Sequence, residues 1–276
     1  MVSSELANDY RADIVRIIHG DLNPEGPGYK EEVVDSGVNR TYPGRFQETR
    51  SGSCVVVPDH PRLAELTSFH VQAMIWPTMP ERGEQGLIAK WTAENGGFVL
   101  MIDGDGALAL RLADGAGKTA TVSTAKPLIE REWYRAVAAY DASSGMVTLS
   151  QEPVARYPLV DAAAQVERHV EVAPRLDNGA PLTMGAWFER EQDGRLITGG
   201  HYDGKIDSPR LACRPLSPAE IEALATAQAR TPVATGLAST AAPFVGDVVA
   251  AWDFSREMES TQVIDVSANR LQGRVR

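Results

Sequence analysis

The sequence has 276 residues, of which 23% are charged, and its net charge is −10. A chain this acidic repels nucleic-acid backbones, and no apolar run reaches the ~20 residues of a bilayer span, so we expect neither a nucleic-acid nor a membrane partner. The first residues lack the apolar core of a secretory signal. The cysteines, Cys54 and Cys213, make no disulfide framework, so we expect buried, reduced thiols and a cytoplasmic location.

Residues 1–44 differ from the rest of the chain. Their pattern predicts a strand at residues 13–18, followed by a loop rich in glycine and proline at residues 19–29. The segment has too few apolar residues to fold alone, so we expect it to pack on the β-rich region that follows or on a structure that this chain does not contain. Because Val2 reads as the middle of a strand, we interpret the segment as part of a small, truncated β element.

Several short runs within residues 45–228 alternate apolar and polar side chains with the period of a β-strand. The clearest run places these side chains on one face: Phe69, Val71, Ala73 and Ile75. His70, in the opposite phase, is expected to face solvent or the second sheet. Turns rich in Asp and Gly separate the runs, as at residues 103–106. Short strands joined by tight turns predict an all-β fold, an antiparallel β-sandwich of the jelly-roll type.

One short helix is predicted near the C-terminal end of this region. Ser217 has the position of an N-cap, and Pro218 that of the first helical residue. Glu220 is the expected capping-box partner of Ser217. We expect the helix to fray near Arg230.

The remaining residues are expected to lie outside the jelly roll. Residues 229–247 are rich in Ala, Thr, Gly and Pro, and their composition predicts a linker. Residues 248–276 begin with a strand-like run. We expect this segment to lead from the jelly roll into a larger structure that the sequence does not contain.

Six segments in a fixed order carry a resemblance to a known fold: SCVVV at residues 53–57, FHVQAMIWP at Phe69–Pro77, GLIAKW at residues 86–91, WYRAVA at residues 133–138, HYDGKID at residues 201–207 and LSPAEI at residues 216–221. Together they resemble the laminin-G-like and concanavalin-A-like jelly rolls. In that fold the opening and closing strands are adjacent, so the resemblance implies that Cys54 lies near Cys213.

A narrower resemblance covers nearly the whole chain. IVRIIHGD at residues 14–21, GPGYKEE at residues 26–32 and WDFS at residues 252–255 resemble the N-terminal part of the N,N-dimethylformamidase large (beta) subunit family. The resemblance implies a small partner subunit, an oligomeric enzyme and hydrolysis of N-substituted formamides at an iron centre. That iron belongs to the family's catalytic region, which would follow residues 248–276. We therefore expect no catalytic residue and no cofactor in this chain.

Carboxylates at alternate positions are the first candidates for chemistry. Glu189, Glu191 and Asp193 have the spacing that jelly-roll glucanases use to bring carboxylates to one strand face. The intervening residues are polar and Gly194 follows at once. The pattern therefore favours a solvated hairpin over a glycosidase site.

Calcium is a further possibility, because lectin-like jelly rolls often bind it at the sandwich rim. Calcium takes six to eight oxygen ligands, so loops with paired carboxylates are its candidates. Asp103 and Asp105 form one pair but fit a hairpin turn better. Asp203 and Asp207 flank Gly204, and they are the residues we select as candidate calcium ligands.

Tryptophans could bind sugars by stacking. Trp76 and Trp187 lie opposite in phase to the apolar faces of their strands, which makes them the candidate ligand-binding residues. Two functions therefore stay open. The first is a non-catalytic, lectin-like module that packs against its own catalytic region and a small subunit. The alternative is a free-standing carbohydrate-binding jelly roll, either with or without a requirement for calcium.

Overall fold

The computed structural model describes residues 8–44, 52–230 and 245–276. The chain divides into two compact units, Met1–Ser51 and Gly52–Arg276. Both contain antiparallel β-strands, and helices are few. The all-β prediction is therefore confirmed. Within the described ranges, no helix combines the length and the apolar composition that a membrane crossing requires.

The N-terminal unit contains two short antiparallel ribbons. Its strands are β1 (Tyr10–Ala12), β2 (Val15–His19), β3 (Lys30–Val33) and β4 (Arg40–Tyr42). Strand β1 pairs with β4, and β2 pairs with β3. Strand β2 corresponds to the strand predicted at residues 13–18, whereas the sequence pattern did not predict β3. None of the described residues 8–44 is buried, so this part of the chain has no core of its own.

The larger unit contains the remaining strands. They are, in chain order, β5 (Val55–Val57), β6 (Phe69–Pro77), β7 (Gln85–Thr92), β8 (Gly96–Ile102), β9 (Ala107–Ala113), β10 (Thr119–Pro127), β11 (Tyr134–Asp141), β12 (Met146–Pro153), β13 (Ala164–His169), β14 (Leu182–Met184), β15 (Trp187–Gln192), β16 (Arg195–Gly199), β17 (Gly204–Ala212), β18 (Val248–Asp253), β19 (Gln262–Asp265) and β20 (Gly273–Val275). Its helices are α1 (Pro61–Ala64) and α2 (Pro218–Arg230), with single 3-10 turns at Pro80–Arg82 and Val245–Asp247.

These strands form a sandwich of two antiparallel sheets. The first sheet has the order β10-β9-β8-β7-β14-β5-β20-β19, and the second has the order β18-β17-β6-β11-β12-β13. Pairing of β18 with β19 joins the sheets along one edge. The hairpin β15–β16 is separate from both sheets. This arrangement confirms the predicted jelly roll.

The main core lies between the two sheets. Alternate side chains of β6 enter it, as the sequence pattern predicts: Phe69, Val71, Ala73 and Ile75. Phe69 is fully buried and stacks on Phe98 of the first sheet, with 4.5 Å between ring centroids. Burial of each large side chain contributes about 1.5–3 kcal/mol, so the core supplies most of the stability.

Helix α2 covers the outer face of the second sheet. It begins with the predicted capping box: Glu220 Oε2 accepts hydrogen bonds from the Ser217 N–H and hydroxyl, both at 2.8 Å. Leu224 then packs with Ala212 and Val248. His70 is the register partner of Ala212 and shares its face, which explains why His70 is buried. The expectation that His70 faces solvent or the second sheet is therefore wrong.

The C-terminal segment is part of the sandwich. The sequence pattern placed residues 248–276 outside the jelly roll, but β18 pairs with β17, and β20 lies between β5 and β19. Its strands complete both sheets, so the compact unit extends from Gly52 to Arg276. Of the linker predicted at residues 229–247, residues 231–244 lie outside the described ranges.

The cysteines do not lie side by side. Cys54 is buried and precedes β5 in the first sheet, whereas Cys213 is exposed and follows β17 in the second. Strands β20, β19 and β18 separate β5 from β17. The expected proximity and the expected burial of Cys213 are therefore wrong, because C-terminal strands occupy the place predicted for the closing strand.

Candidate functional site

The two aspartates chosen as calcium ligands have different neighbours. Asp203 precedes β17, and its Oδ2 lies 3.5 Å from Nη1 of Arg82. Asp207 lies within β17 and accepts a 2.7 Å hydrogen bond from the Ser208 hydroxyl. Burial lowers the pKa of Arg210 to about 10, and Asp207 is one of the carboxylates whose charge opposes that shift. Asp207 thus serves as a counter-charge for a buried guanidinium.

No group of three His, Cys, Asp or Glu side chains within the described ranges could hold a metal ion. The Asp103 pair forms the expected hairpin turn: Asp103 Oδ1 accepts the backbone N–H groups of Asp105 at 3.0 Å and Ala107 at 2.9 Å. Calcium bound by Asp203 and Asp207 with backbone oxygens stays a prediction.

Trp76 lies on β6 of the second sheet and Trp187 on the separate β15–β16 hairpin, and both are half-buried. The Lys205 Nζ lies 4.3 Å from the ring centroid of Trp76, in a cation–π contact. Trp187 packs against an apolar cluster that includes Val99 and Met101. Each indole is thus in contact with other residues of the chain. Sugar binding at either tryptophan stays a prediction.

The alternating carboxylates lie on an exposed hairpin. Glu189 and Glu191 belong to β15, and Asp193 forms the turn to β16 with φ of 53°. All three are exposed to solvent, in agreement with the hairpin interpretation.

A cavity of about 400 Å³ opens at one end of the sandwich. Val55 of the first sheet and Ile206 of the second form part of its wall, and the loop between β18 and β19 contributes Arg256 and Met258. The Nε of Arg256 is held by Asp253 Oδ2 at 3.1 Å. The cavity therefore has a mixed apolar and polar lining, and the guanidinium of Arg256 in its wall is already paired. Sequence reasoning missed it, because its walls come from strands that are distant in sequence.

Seven large aliphatic side chains on and around the ribbons of the N-terminal unit are exposed. We call this set the ribbon surface, and it consists of Ile14, Ile17, Ile18, Leu22, Val33, Val34 and Val38. Ile17 is 60% exposed, Val33 59% and Leu22 80%. Exposed patches of this kind mark interaction sites in soluble proteins. The turn-rich loop and the lack of a local core were the sequence signals that indicated this surface.

The fold and these surfaces define a class of protein: the chain belongs to the concanavalin A-like lectin/glucanases superfamily, which residues 50–222 match. A crystal structure from Bacteroides ovatus, described as that of a candidate carbohydrate-binding protein, has a TM-score of 0.52 and 12% identity over 90% of this chain and 65% of its own. That similarity concerns the fold alone.

The relatives in sequence are more specific. The chain is 35% identical to the N,N-dimethylformamidase beta subunit of Paracoccus aminophilus over 96% of its length, and 32% identical to that of Alcaligenes sp over 99%. These stretches cover 35% and 36% of the relatives. The chain thus spans about a third of their length. Both resemblances found in the sequence are confirmed.

Proposed function

We propose that this chain is a non-catalytic structural and interaction module of an amidohydrolase large subunit similar to the dimethylformamidase beta subunits. It would scaffold the enzyme by packing against the rest of its large subunit and against a small subunit. The observation that carries the proposal is the ribbon surface, which exposes large apolar side chains on strands without a core.

The physical argument concerns stability. A two-stranded ribbon is marginally stable in water unless something covers its apolar face. Ile17 and Val33 lie on the paired strands β2 and β3, so a partner that covers one would reach the other. The relatives are about three times as long as the aligned stretch, and that additional length supplies a partner within the same large subunit.

The reaction itself belongs elsewhere under this proposal. The family's iron needs a cluster of ligands, and the described residues offer no such group. We therefore assign the iron and the hydrolysis of amides to the part of the relatives that this chain does not match. Free Cys54 and Cys213 fit a reducing, cytoplasmic location.

The test is association with the missing region. The rest of the Paracoccus aminophilus beta subunit would be produced separately, mixed with this chain and analysed by size-exclusion chromatography with light scattering. We expect a complex, and we expect the double variant I17D/V33D to weaken it at least about tenfold, since two acids would be placed in an apolar contact.

The matched control is V154D/L159D, which adds the same charges at exposed apolar positions of the jelly roll. It should associate like the unaltered chain. Failure of the unaltered chain to associate, or full association of I17D/V33D, would contradict the proposal.

The alternative, a carbohydrate-binding jelly roll, has its own test. A glycan array would be probed with and without calcium, followed by W76A and W187A. The proposed function predicts no saturable binding. Low-micromolar binding that either tryptophan variant abolishes would favour the alternative instead.

A further inference from the structure

A groove of about 550 Å³ crosses the outer face of the first sheet, on the jelly roll itself. We call it the arginine groove, and the residues that define it are Val56, Pro58, Leu196, Gln262, Arg274 and Arg276. Its apolar floor comes from β5 and the β15–β16 hairpin. Its polar side comes from β19, β20 and the residue after β20.

Arg274 and Arg276 share the outer face of the sheet. Arg274 is the register partner of Val56, and Arg276 exchanges two backbone hydrogen bonds with Cys54, at 3.2 and 2.8 Å. Val56 and Cys54 both belong to the outer apolar cluster rather than to the main core. The charge of Arg276 also opposes the increase that burial causes in the pKa of the Cys54 thiol, which agrees with this placement.

The groove has an excess of positive charge. Within the described ranges, neither Arg274 nor Arg276 forms a salt bridge. Asp59 also lines the groove, but its Oδ1 lies 2.6 Å from the Nζ of Lys90, which is buried. That carboxylate is therefore already neutralised. Two uncompensated guanidinium groups beside an apolar floor stand out in a chain with a net charge of −10.

We propose that the arginine groove binds an extended acidic segment of a partner polypeptide, with carboxylates at alternate positions. Residues two apart on a strand are separated by about 6.5–7 Å, which is also the spacing of alternate side chains in an extended peptide. Each guanidinium can then form a bidentate pair with one carboxylate. The inference rests on the proposed function only in taking the partner to be a polypeptide.

The test compares two fluorescein-labelled peptides of identical composition by fluorescence anisotropy. In the first, Gly-Glu-Val-Glu-Gly, the acids alternate; in the second, Gly-Glu-Glu-Val-Gly, they are adjacent and lie on opposite faces when extended. We expect the alternating peptide to bind about tenfold more tightly, with weaker binding at about 0.3 M salt than at low ionic strength.

The variant R274Q/R276Q removes both guanidinium charges of the groove. It should weaken binding of the alternating peptide at least about tenfold. Its matched control is R62Q/R168Q, which removes two exposed charges elsewhere on the jelly roll and should leave the affinity unchanged. Thermal unfolding of both variants establishes that they are folded.

Equal binding of the two peptides, or full binding by R274Q/R276Q, would overturn the proposal. Displacement of the peptide by millimolar sulfate as effectively as by unlabelled peptide would show a site for free anions only. The peptide assay does not involve the ribbon surface, so I17D/V33D should bind the peptide normally. Failure of this inference is thereby distinguished from failure of the proposed function.

Discussion

The two units of the chain use the same kind of strand in opposite ways. In the jelly roll, both faces of β6 are covered. Phe69 lies in the main core, and His70 lies on the opposite face, which helix α2 covers. In the N-terminal unit, β2 and β3 are also paired but have no buried residue. Strand pairing therefore does not distinguish them. What distinguishes them is whether other parts of the described chain bury the side chains of the strands. This difference predicts large losses of stability on mutation in the jelly roll and small ones in the N-terminal unit.

The largest expected effect is in the main core. Phe69→Ala removes a fully buried ring stacked on Phe98 and should lower the free energy of unfolding by about 3–5 kcal/mol. Ile17→Ala, at a position 60% exposed, should change it by less than about 0.5 kcal/mol. Urea unfolding followed by tryptophan fluorescence measures the loss for Phe69→Ala, because all five tryptophans lie in the larger unit. Far-UV circular dichroism, which also reports on the strands of the N-terminal unit, measures the change for Ile17→Ala. Similar losses of unfolding free energy would mean that side chains are buried to a similar extent in the two units.

The next effect depends on pH, through His70. Its Nε2 donates to Gln72 Oε1 at 2.9 Å, its Nδ1 has no partner among the described residues, and burial lowers its pKa to about 4. The unfolded state takes up the proton near pH 6.5. The contribution of His70 to stability should therefore fall by about 3 kcal/mol between pH 6.5 and 4, and stay constant outside that window.

Carboxylates titrate in part of the same window, so the informative quantity is the difference between the unaltered chain and His70→Asn. We expect this difference to follow pH because Asn does not titrate. Unfolding free energies measured in urea at several pH values give the two profiles. Parallel profiles would show that His70 is accessible to protons in the folded protein.

A smaller effect is expected where α2 begins. Ser217→Ala removes the hydroxyl of the capping box and should destabilise the jelly roll by about 1 kcal/mol, whereas Ser217→Thr keeps the hydroxyl and should be nearly neutral. Thermal unfolding monitored by circular dichroism compares the two. If both substitutions have equal effects, the cap does not stabilise the cover over His70.

The smallest effect on stability is expected at the ribbon surface, although its effect on association should be large. I17D/V33D should leave the jelly-roll transition within about 0.5 kcal/mol, because both positions are exposed. The fluorescence assay used for Phe69→Ala measures this. A large loss of jelly-roll stability would mean that the ribbons already cover part of this chain, and the contrast between the units would fail.

Local patterns in the sequence predicted local structure well. Alternation identified β6, Asp-Gly sequences identified the turn at residues 103–106, and the Ser217 and Glu220 pair identified the start of α2. Each of these signals involves residues within a few positions of one another. The residues that interact are therefore the same nearby residues that form the sequence pattern.

Pairing between strands that are distant in sequence could not be predicted from local patterns. Nothing near Gly273 indicates that β20 pairs with β5, and that pairing is why the jelly roll includes residues 248–276. The burial of His70 depends on α2, which is distant in sequence, so its alternation on β6 could not reveal it. The arginine groove was missed for the same reason, because its walls come from β5, β16, β19 and β20.

The pairing of β20 with β5 also has a consequence for the order of events during synthesis. Cys54 is made early, but its backbone partner Arg276 is made about 220 residues later (276 − 54). Synthesis proceeds at about 5–20 residues per second, so on the order of 10 s or more passes between the synthesis of β5 and that of its neighbour β20. During that interval one edge of an apolar strand has no partner. A chaperone that binds exposed strand edges would find its target there, on the nascent chain rather than on the finished protein.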